Sequence, residues 1–482
     1  MKVTVAVLDK KGDNVVDRTL GVLNDLSVGQ VCNFGLISPK KAVFEKNIGL
    51  LRRQGIDSST ATGFVSSKPR ATGYEFLQLD DAALVFEGRV YSPTPRKVVM
   101  EQVAKEPQHC ERLLQTLLSN ADGDYMFLML KEGWIAAGRD PVGVQPLYFG
   151  ENQDVAVFAT NKEALWKLGI ENPGSFPPGN LAYVNSSGFQ FKAVKTLPYA
   201  EVTALTLDEA AKKLQLLLEE SIRRRTRDVN EVAVAFSGGL DSSLVAYLAS
   251  KLGLKVTLLH VSMENQAETE EAIVASDKLN LPIEIDLFKD SDVEMALPQV
   301  VALIEEADAV KAAVGLPFYW TAEKAAEEGL NVMLAGQGAD ELFGGYQRYV
   351  AELCRDGVEA VRKTMFGDVA GIHMSNLERD LKITGWFDVE LRLPFAWVDL
   401  VEFALNLPIE CKIEPKADTL RKLVLRKVAL NVGLPLSMVD KPKKAVQYST
   451  GMNNAIKRVA KKQGKTANEY VNELFQSFRN KP

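Results

Sequence analysis

The stretch AVAFSGGLDSSLVAYL, Ala233 to Leu248, restricts the possible folds more than any other part of the chain. An apolar run stops at Gly238 and Gly239 and reopens as an amphipathic segment, which reads as strand, loop and helix. A loop of this kind offers the N–H groups of a helix start to an anion. Asp241 would repel that anion unless a cation lies between them. KVTLLHVSM and NVMLAGQ repeat the pattern, each followed by a helical stretch. This part of the chain therefore predicts βαβ units around a parallel sheet, with ligand at the carboxyl ends of the strands.

Up to about Ala200 the texture differs. VTVAVLD, DDAALVFEGRVY, DYMFLML, EGWIAAGRD and DVAVFAT are short apolar or alternating runs between Gly, Asp and Pro turns, which predicts a β-rich region. From Thr206, TLDEAAKKLQLLLEESIRRR combines a capping residue, early acids, a Leu stripe and a basic end into a helix that complements its own dipole. The last third is helical, and the charged tail KKQGKTANEYVNELFQSFRNKP reads as a solvated helix. A boundary falls at 196–206, giving domains 1–200 and 206–482.

With 46% hydrophobic residues among 482, the chain can bury substantial cores. A net charge of -6 argues against a broad nucleic-acid surface. No long uncharged apolar run predicts a membrane span, and MKVTVAVLDKKGD has no room for a signal-peptide core. Four cysteines lie far apart without a CxxC pair, which suits a reducing, cytoplasmic setting.

In the Ser237 loop, Gly238 and Gly239 let the backbone close on phosphate oxygens, while Ser237, Ser242 and Ser243 add hydroxyl donors. Asp241 would hold Mg2+, turning repulsion into a bridge. The plain alternative is a glycine turn with Asp241 as helix cap. No Walker A pattern is present, and the GxG in AGQGADELFGGY has no third glycine for a dinucleotide fingerprint.

SGGLDSS resembles the pyrophosphate loop of ATP pyrophosphatases, and LAGQGADELFGGYQRY resembles the second signature of their asparagine synthetase branch. NLERDLKITGWFDVELRLPFAWVDLVEFALNLP, KLVLRK and KPKKAVQYSTG follow in the family's order. GRDPVGVQPLYFG, FATNKEAL and FPPG resemble that family's class II glutaminase domain, so the resemblance covers nearly the whole chain. It implies an N-terminal α+β glutaminase-like domain, an Ntn-type sandwich of antiparallel sheets. A C-terminal α/β domain would follow, Rossmann-like with a parallel sheet and a helical final part.

The chemistry so implied is attack of a carboxylate on the α-phosphorus of ATP, loss of pyrophosphate, and displacement of AMP by an amine. ATP and Mg2+ are the implied cofactors, and a small carboxylic acid with an amine or ammonia the partners. Homodimers occur in the family; neither nucleic acid nor membrane is expected. Asp241 and Asp340 would share the metal. Ser237, Gly238, Gly239, Leu240, Asp241, Ser242 and Ser243 would hold the pyrophosphate, and His260 and Val261, in the segment from Leu259 to Ser262, would flank adenine and ribose. Gly336 and Gly338 would permit close approach to the nucleotide. Lys444 matches the lysine that stabilises developing charge, with Lys443 as the neighbouring alternative. The plain readings are a helix cap for Asp340, a strand-end His260, core glycine turns and a solvated lysine pair.

Several positions depart from the family. Lys2 stands where the glutaminase nucleophile, a cysteine with a free α-amine, belongs, and Cys32 is internal. EGRVYS replaces NGEIYN, so Glu87 sets a negative charge against the oxyanion that Gly88 should help stabilise. These two losses, taken as independent, predict a domain that folds without hydrolysing glutamine. Gln337 replaces the usual Glu, and an amide can hold an incoming amine but cannot take its proton. EEADAVKAAVGLPFYW keeps Glu305, Asp308, Pro317 and Tyr319 but has Ala313 and Gly315 for the expected Arg and Ser, which disfavours aspartate unless Lys311 substitutes as a point charge. An ATP-dependent ligase using ammonia or another amine is the first reading. A lactam synthetase-like cyclase and a catalytically silent nucleotide-binding regulatory subunit are the alternatives.

Overall fold

A computed structural model describes residues 2–27, 32–67, 74–79, 81–91, 110–415, 420–440 and 450–480. The chain divides into two compact units, Met1–Leu197 and Pro198–Pro482.

The first unit is built on two antiparallel sheets. Strand Lys2–Asp9 lies inside a seven-stranded sheet between Thr60–Ser66 and Val155–Ala159. Strand Gly123–Lys131 lies inside a six-stranded sheet between Ala82–Val90 and Trp134–Arg139. Alternating side chains carry the sandwich core: Leu8, Ile37 and Phe158 of the first sheet meet Val85, Leu128 and Ile135 of the second, all without solvent exposure. Helices Val16–Leu26 and Cys110–Asn120 cover the outer faces. The GRDPVG turn is a staple within this unit. The fully buried Arg139 donates to the Gly143 and Phe176 carbonyls at 2.6 and 2.8 Å, and the Asp140 carboxylate accepts the N–H groups of Val142, Gly143, Val144 and Gln145.

The second unit carries five parallel strands: β1 Glu231–Ala235, β2 Lys255–Met263, β3 Ile283–Phe288, β4 Val332–Leu334 and β5 Glu390–Arg392. Their order is β3-β2-β1-β4-β5, so the winding reverses at β1 and opens a crevice beyond its carboxyl end. The fold is thus an antiparallel α+β sandwich followed by a Rossmann-like α/β unit with a helical final part. β1, β2 and β4 match the runs read from sequence. β3 alternates at a half-exposed edge and β5 holds one apolar residue between Glu390 and Arg392, so neither carries a strong apolar signal.

Thr206 and Glu209 form a reciprocal capping box at the start of helix Leu207–Thr226. The tail corrects the expectation of a solvated helix. Its last helix, Ala467–Arg479, also opens with a capping box and buries Tyr470, Val471 and Phe475, packing on helix Asp290–Ile304. Three apolar residues among charges suffice for one buried stripe. Among the described residues no helix is long and apolar enough to cross a membrane.

Candidate active site

β1 ends at Ala235, and the chain turns through Phe236–Gly239 into helix Leu240–Lys251. Gly238 sits at φ +68°, and a β-carbon there would come within 2.9 Å of the Ala272 backbone, so only glycine fits. Ser237 and Ser242 hydroxyls lie 3.3 Å apart, and the Gly239 N–H donates to Ser237 Oγ at 3.3 Å. Gly239 is the N-cap, and Asp241 stands one residue inside the helix without capping it. Asp340 likewise lies within the first turn of helix Ala339–Phe343, which Gly338 starts at φ +92°. The helix-cap reading therefore fails for both carboxylates.

The structure brings Asp241 and Asp340 together on one cation. Lys422 Nζ, with a side chain 3% exposed, lies 2.5 Å from Asp241 Oδ2 and 2.7 Å from Asp340 Oδ1. Lys422 adopts φ +62° just before helix Leu423–Asn431, a left-handed conformation that costs a lysine about 1 kcal/mol or more. Two glycines make the approach possible. A β-carbon on Gly336 would lie 2.9 Å from Cβ of Asp241, and one on Gly345 would lie 1.8 Å from Oδ1 of Asp340 and 2.5 Å from Cε of Lys422. Neither Lys422 nor Gly345 had been singled out, although KLVLRK and LFGGY were visible as motifs.

A cavity of about 430 Å3 opens beside this cluster. Ser237, Asp241, Ser242, His260, Val261, Gly336, Gln337 and Asp340 line it, whereas Gly238, Gly239, Leu240, Ser243 and Gly338 shape the loops behind it. Lys443 and Lys444 lie outside the described residues. His260 is 1% exposed, bridging the Phe236 carbonyl at 3.0 Å and the Thr269 hydroxyl at 3.2 Å, and burial pushes its pKa down. A neutral ring donating from Nδ1 and accepting at Nε2 fits both contacts, so His260 ties the loop to β2.

The surroundings of the cavity add groups that were missed. Gln337 Nε2 donates to Asp380 Oδ2, which turns the amide oxygen away from that carboxylate. Arg379 holds Asp380 with two further hydrogen bonds at 2.7 and 3.1 Å. Asp380 is wholly buried, and burial raises its pKa against the opposing pull of Arg379 and Gln337. The Tyr346 hydroxyl donates to Glu341 Oε1 at 2.6 Å, and Asn376 adds a hydrogen bond at 2.8 Å. Burial and then Asp340 push the Glu341 carboxyl up. Lys311 reaches the cavity but is held by Glu306 and the Met374 carbonyl, so it is not the loose point charge its sequence position suggested. Pairings across 43 or 181 residues leave no local periodicity to read.

In the first unit Lys2 Nζ lies 3.1 Å from Glu87 Oε1, and Thr4 Oγ1 donates to Glu87 Oε2 at 2.9 Å. The two departures read as independent losses are thus partners in one largely buried ion pair.

The asparagine synthase family model matches residues 213–361 and 355–478. A Methanocaldococcus jannaschii protein, provisionally described as a glutamine-hydrolyzing asparagine synthetase, is 33% identical over 407 residues, covering 74% of this chain and 75% of its own length. The chain belongs to the asparagine synthase family. The Asparagus officinalis asparagine synthetase (glutamine-hydrolyzing) is 28% identical, covering 69% of this chain and 58% of its own length, so the chain spans little more than half of that relative. Membership in this family supports an ATP-dependent, amide-forming synthetase.

The donor set suits a family member's magnesium. Asp241 and Asp340 present hard carboxylate oxygens that already converge on a cation, and Mg2+ takes one or two carboxylates and completes its shell from substrate phosphates and water. Among the described residues no group of three or more His, Cys, Asp or Glu is placed to hold a metal ion.

Proposed function

We propose that this asparagine synthase family member is a carboxylate–amine ligase that activates its acid as an acyl-adenylate, with release of pyrophosphate and then AMP. It takes ammonia or another amine rather than ammonia made from glutamine. The observation that carries this reading is the convergence of Asp241 and Asp340 on one cation position beside the cavity.

Ser237, Ser242 and the N–H groups at the start of helix Leu240–Lys251 bind phosphate oxygens. Asp241 and Asp340 would hold Mg2+, which would supply charge neutralisation on the triphosphate. Lys422, which lies between the two carboxylates, would give up that position to the metal and keep its charge near the phosphates. Apolar side chains such as Val314 and Phe318 wall the cavity and exclude water from the activated acyl group. The Gln337 amide oxygen, directed by Asp380, accepts a hydrogen bond from the amine. Its proton passes to Tyr346 as the phenol gives its own to Glu341, whose raised pKa suits it to receive one. Lys443 or Lys444 supplies charge to the adenylation step. Arg379 is already committed to Asp380, which supports an acid other than aspartate.

The Lys2–Glu87 pair supports a first unit that is retained for structure and does not hydrolyse glutamine. A lysine bound to a carboxylate offers no nucleophile.

Acid-dependent exchange of labelled pyrophosphate into ATP tests the ligase reading, and hydroxylamine trapping names the acid. Tight binding of Mg-ATP without exchange for any acid in a broad panel would overturn it in favour of a silent nucleotide-binding subunit. Glutamate released on incubation with glutamine would overturn the loss of glutaminase activity.

A further inference from the structure

A second, much smaller cavity of about 10 Å3 is lined by Tyr199, Arg362, Phe366, Asn406 and Lys412 among others. It has room for one water-sized species. Its polar lining is unusual. Lys412 is 2% exposed, and among the described residues its ammonium has no hydrogen-bond acceptor or ion-pair partner. Arg362 spends Nη1 on Glu359 and Nη2 on the Ala200 carbonyl, at 3.1 and 2.9 Å, while its buried Nε has no partner among the described residues. The buried Asn406 Oδ1 also has none. Two cationic side chains and a primary amide therefore surround a space of one atom.

Arg362 is paired with Glu359, but water would leave a protonated Lys412 uncompensated, and an unpaired buried charge is costly. A monatomic anion suits a space with room for one water-sized species. Asn406 is compatible with an anion once its amide is turned over, since the two orientations have the same shape and the turned one presents Nδ2–H. We propose that this cavity is a binding site for a single halide, chloride in the cell, held by Lys412, Arg362 and Asn406. Burial and then Arg362 lower the Lys412 pKa to about 7, and a bound anion would raise it again by favouring the charged form. The site has a structural reach. The Lys412 carbonyl accepts the Leu423 N–H at 3.0 Å, the residue after Lys422, so the halide steadies the turn that aims Lys422.

The test uses bromide as probe. Crystals of the full chain soaked in sodium bromide should show an anomalous peak between Arg362, Asn406 and Lys412. In solution, chloride and bromide should raise the unfolding midpoint above that in gluconate at matched ionic strength, reducing the unfolding constant about elevenfold at ten times Kd. Lys412→Met should abolish this halide-specific gain, and should Lys412→Met not fold, Asn406→Leu serves instead. Absence of the bromide peak would overturn the site, and so would a halide gain that persists in the variant.

Discussion

Replacing Lys422 by Met should expose what the ammonium between Asp241 and Asp340 does. At 2.5 and 2.7 Å, each ion pair represents roughly 6 kcal/mol of Coulomb attraction at an effective dielectric of 20, most of it offset by desolvation. The carboxylates are 14% and 18% exposed, so solvent screens them little. Removing one partner of such a buried pair costs about 3–5 kcal/mol, because the remaining charges stay buried. Methionine keeps most of the volume and inherits the same left-handed backbone, so the loss is electrostatic. Urea unfolding of the second unit, without nucleotide, should show this destabilisation. Mg2+ at a hundredfold over Kd should return about 2.7 kcal/mol to the variant and little to the parent, where the ammonium already occupies the position. A Lys422→Met protein that unfolds at the parent's urea concentration and ignores Mg2+ would refute the reasoning.

Gly345→Ala drives a methyl group into Asp340 and Lys422, and a displacement of about 1 Å there should reduce acid-dependent exchange by about 10²-fold, measured against unchanged folding by circular dichroism. A double-mutant cycle on Lys2→Met and Glu87→Gln should give a coupling of about 0.5–3 kcal/mol in the first unit's stability; additive effects would mean the two residues do not act together. Lys412 has its folded pKa lowered to about 7 from 10.5, so the folded state binds fewer protons than the unfolded chain between those values, and stability at low halide should rise with pH across that window. Arg362, Cys411 and Tyr199 face Lys412, with Glu359 beyond Arg362 and Glu410 exposed beside Cys411. Lys412→Met should flatten the slope in a pH series of urea melts, and saturating chloride should reduce it in the parent.

Much of the candidate site was legible because a glycine turn between strand and helix is local chemistry. SGGLDSS and AGQGADE combine strand end, glycine turn and helix start within a few residues, so Ser237, Asp241, Ser242, Gly336 and Asp340 could be picked out before any fold was known. Lys422 could not, although it lies in a motif that had been noticed. Its role depends on the turn before Leu423 bringing the side chain back across 181 residues of sequence. The same holds for Asp380 beneath Gln337. Reading each departure alone also made Lys2 and Glu87 look like separate losses, whereas the packing of the two sheets on each other makes them partners in one ion pair.

By itself the amino-acid sequence determined many of the elements: alternating runs for the antiparallel sheets, apolar strands for three members of the parallel one, and a capping residue where the second unit's first helix begins. These depend on interactions a few residues long, which periodicity and turn chemistry record directly. Only the tertiary structure decided which charges meet. A carboxylate becomes a partner of Lys422 or a buried neighbour of Arg379 according to what folding brings within 3 Å of it, and to how much water is left there to screen the encounter.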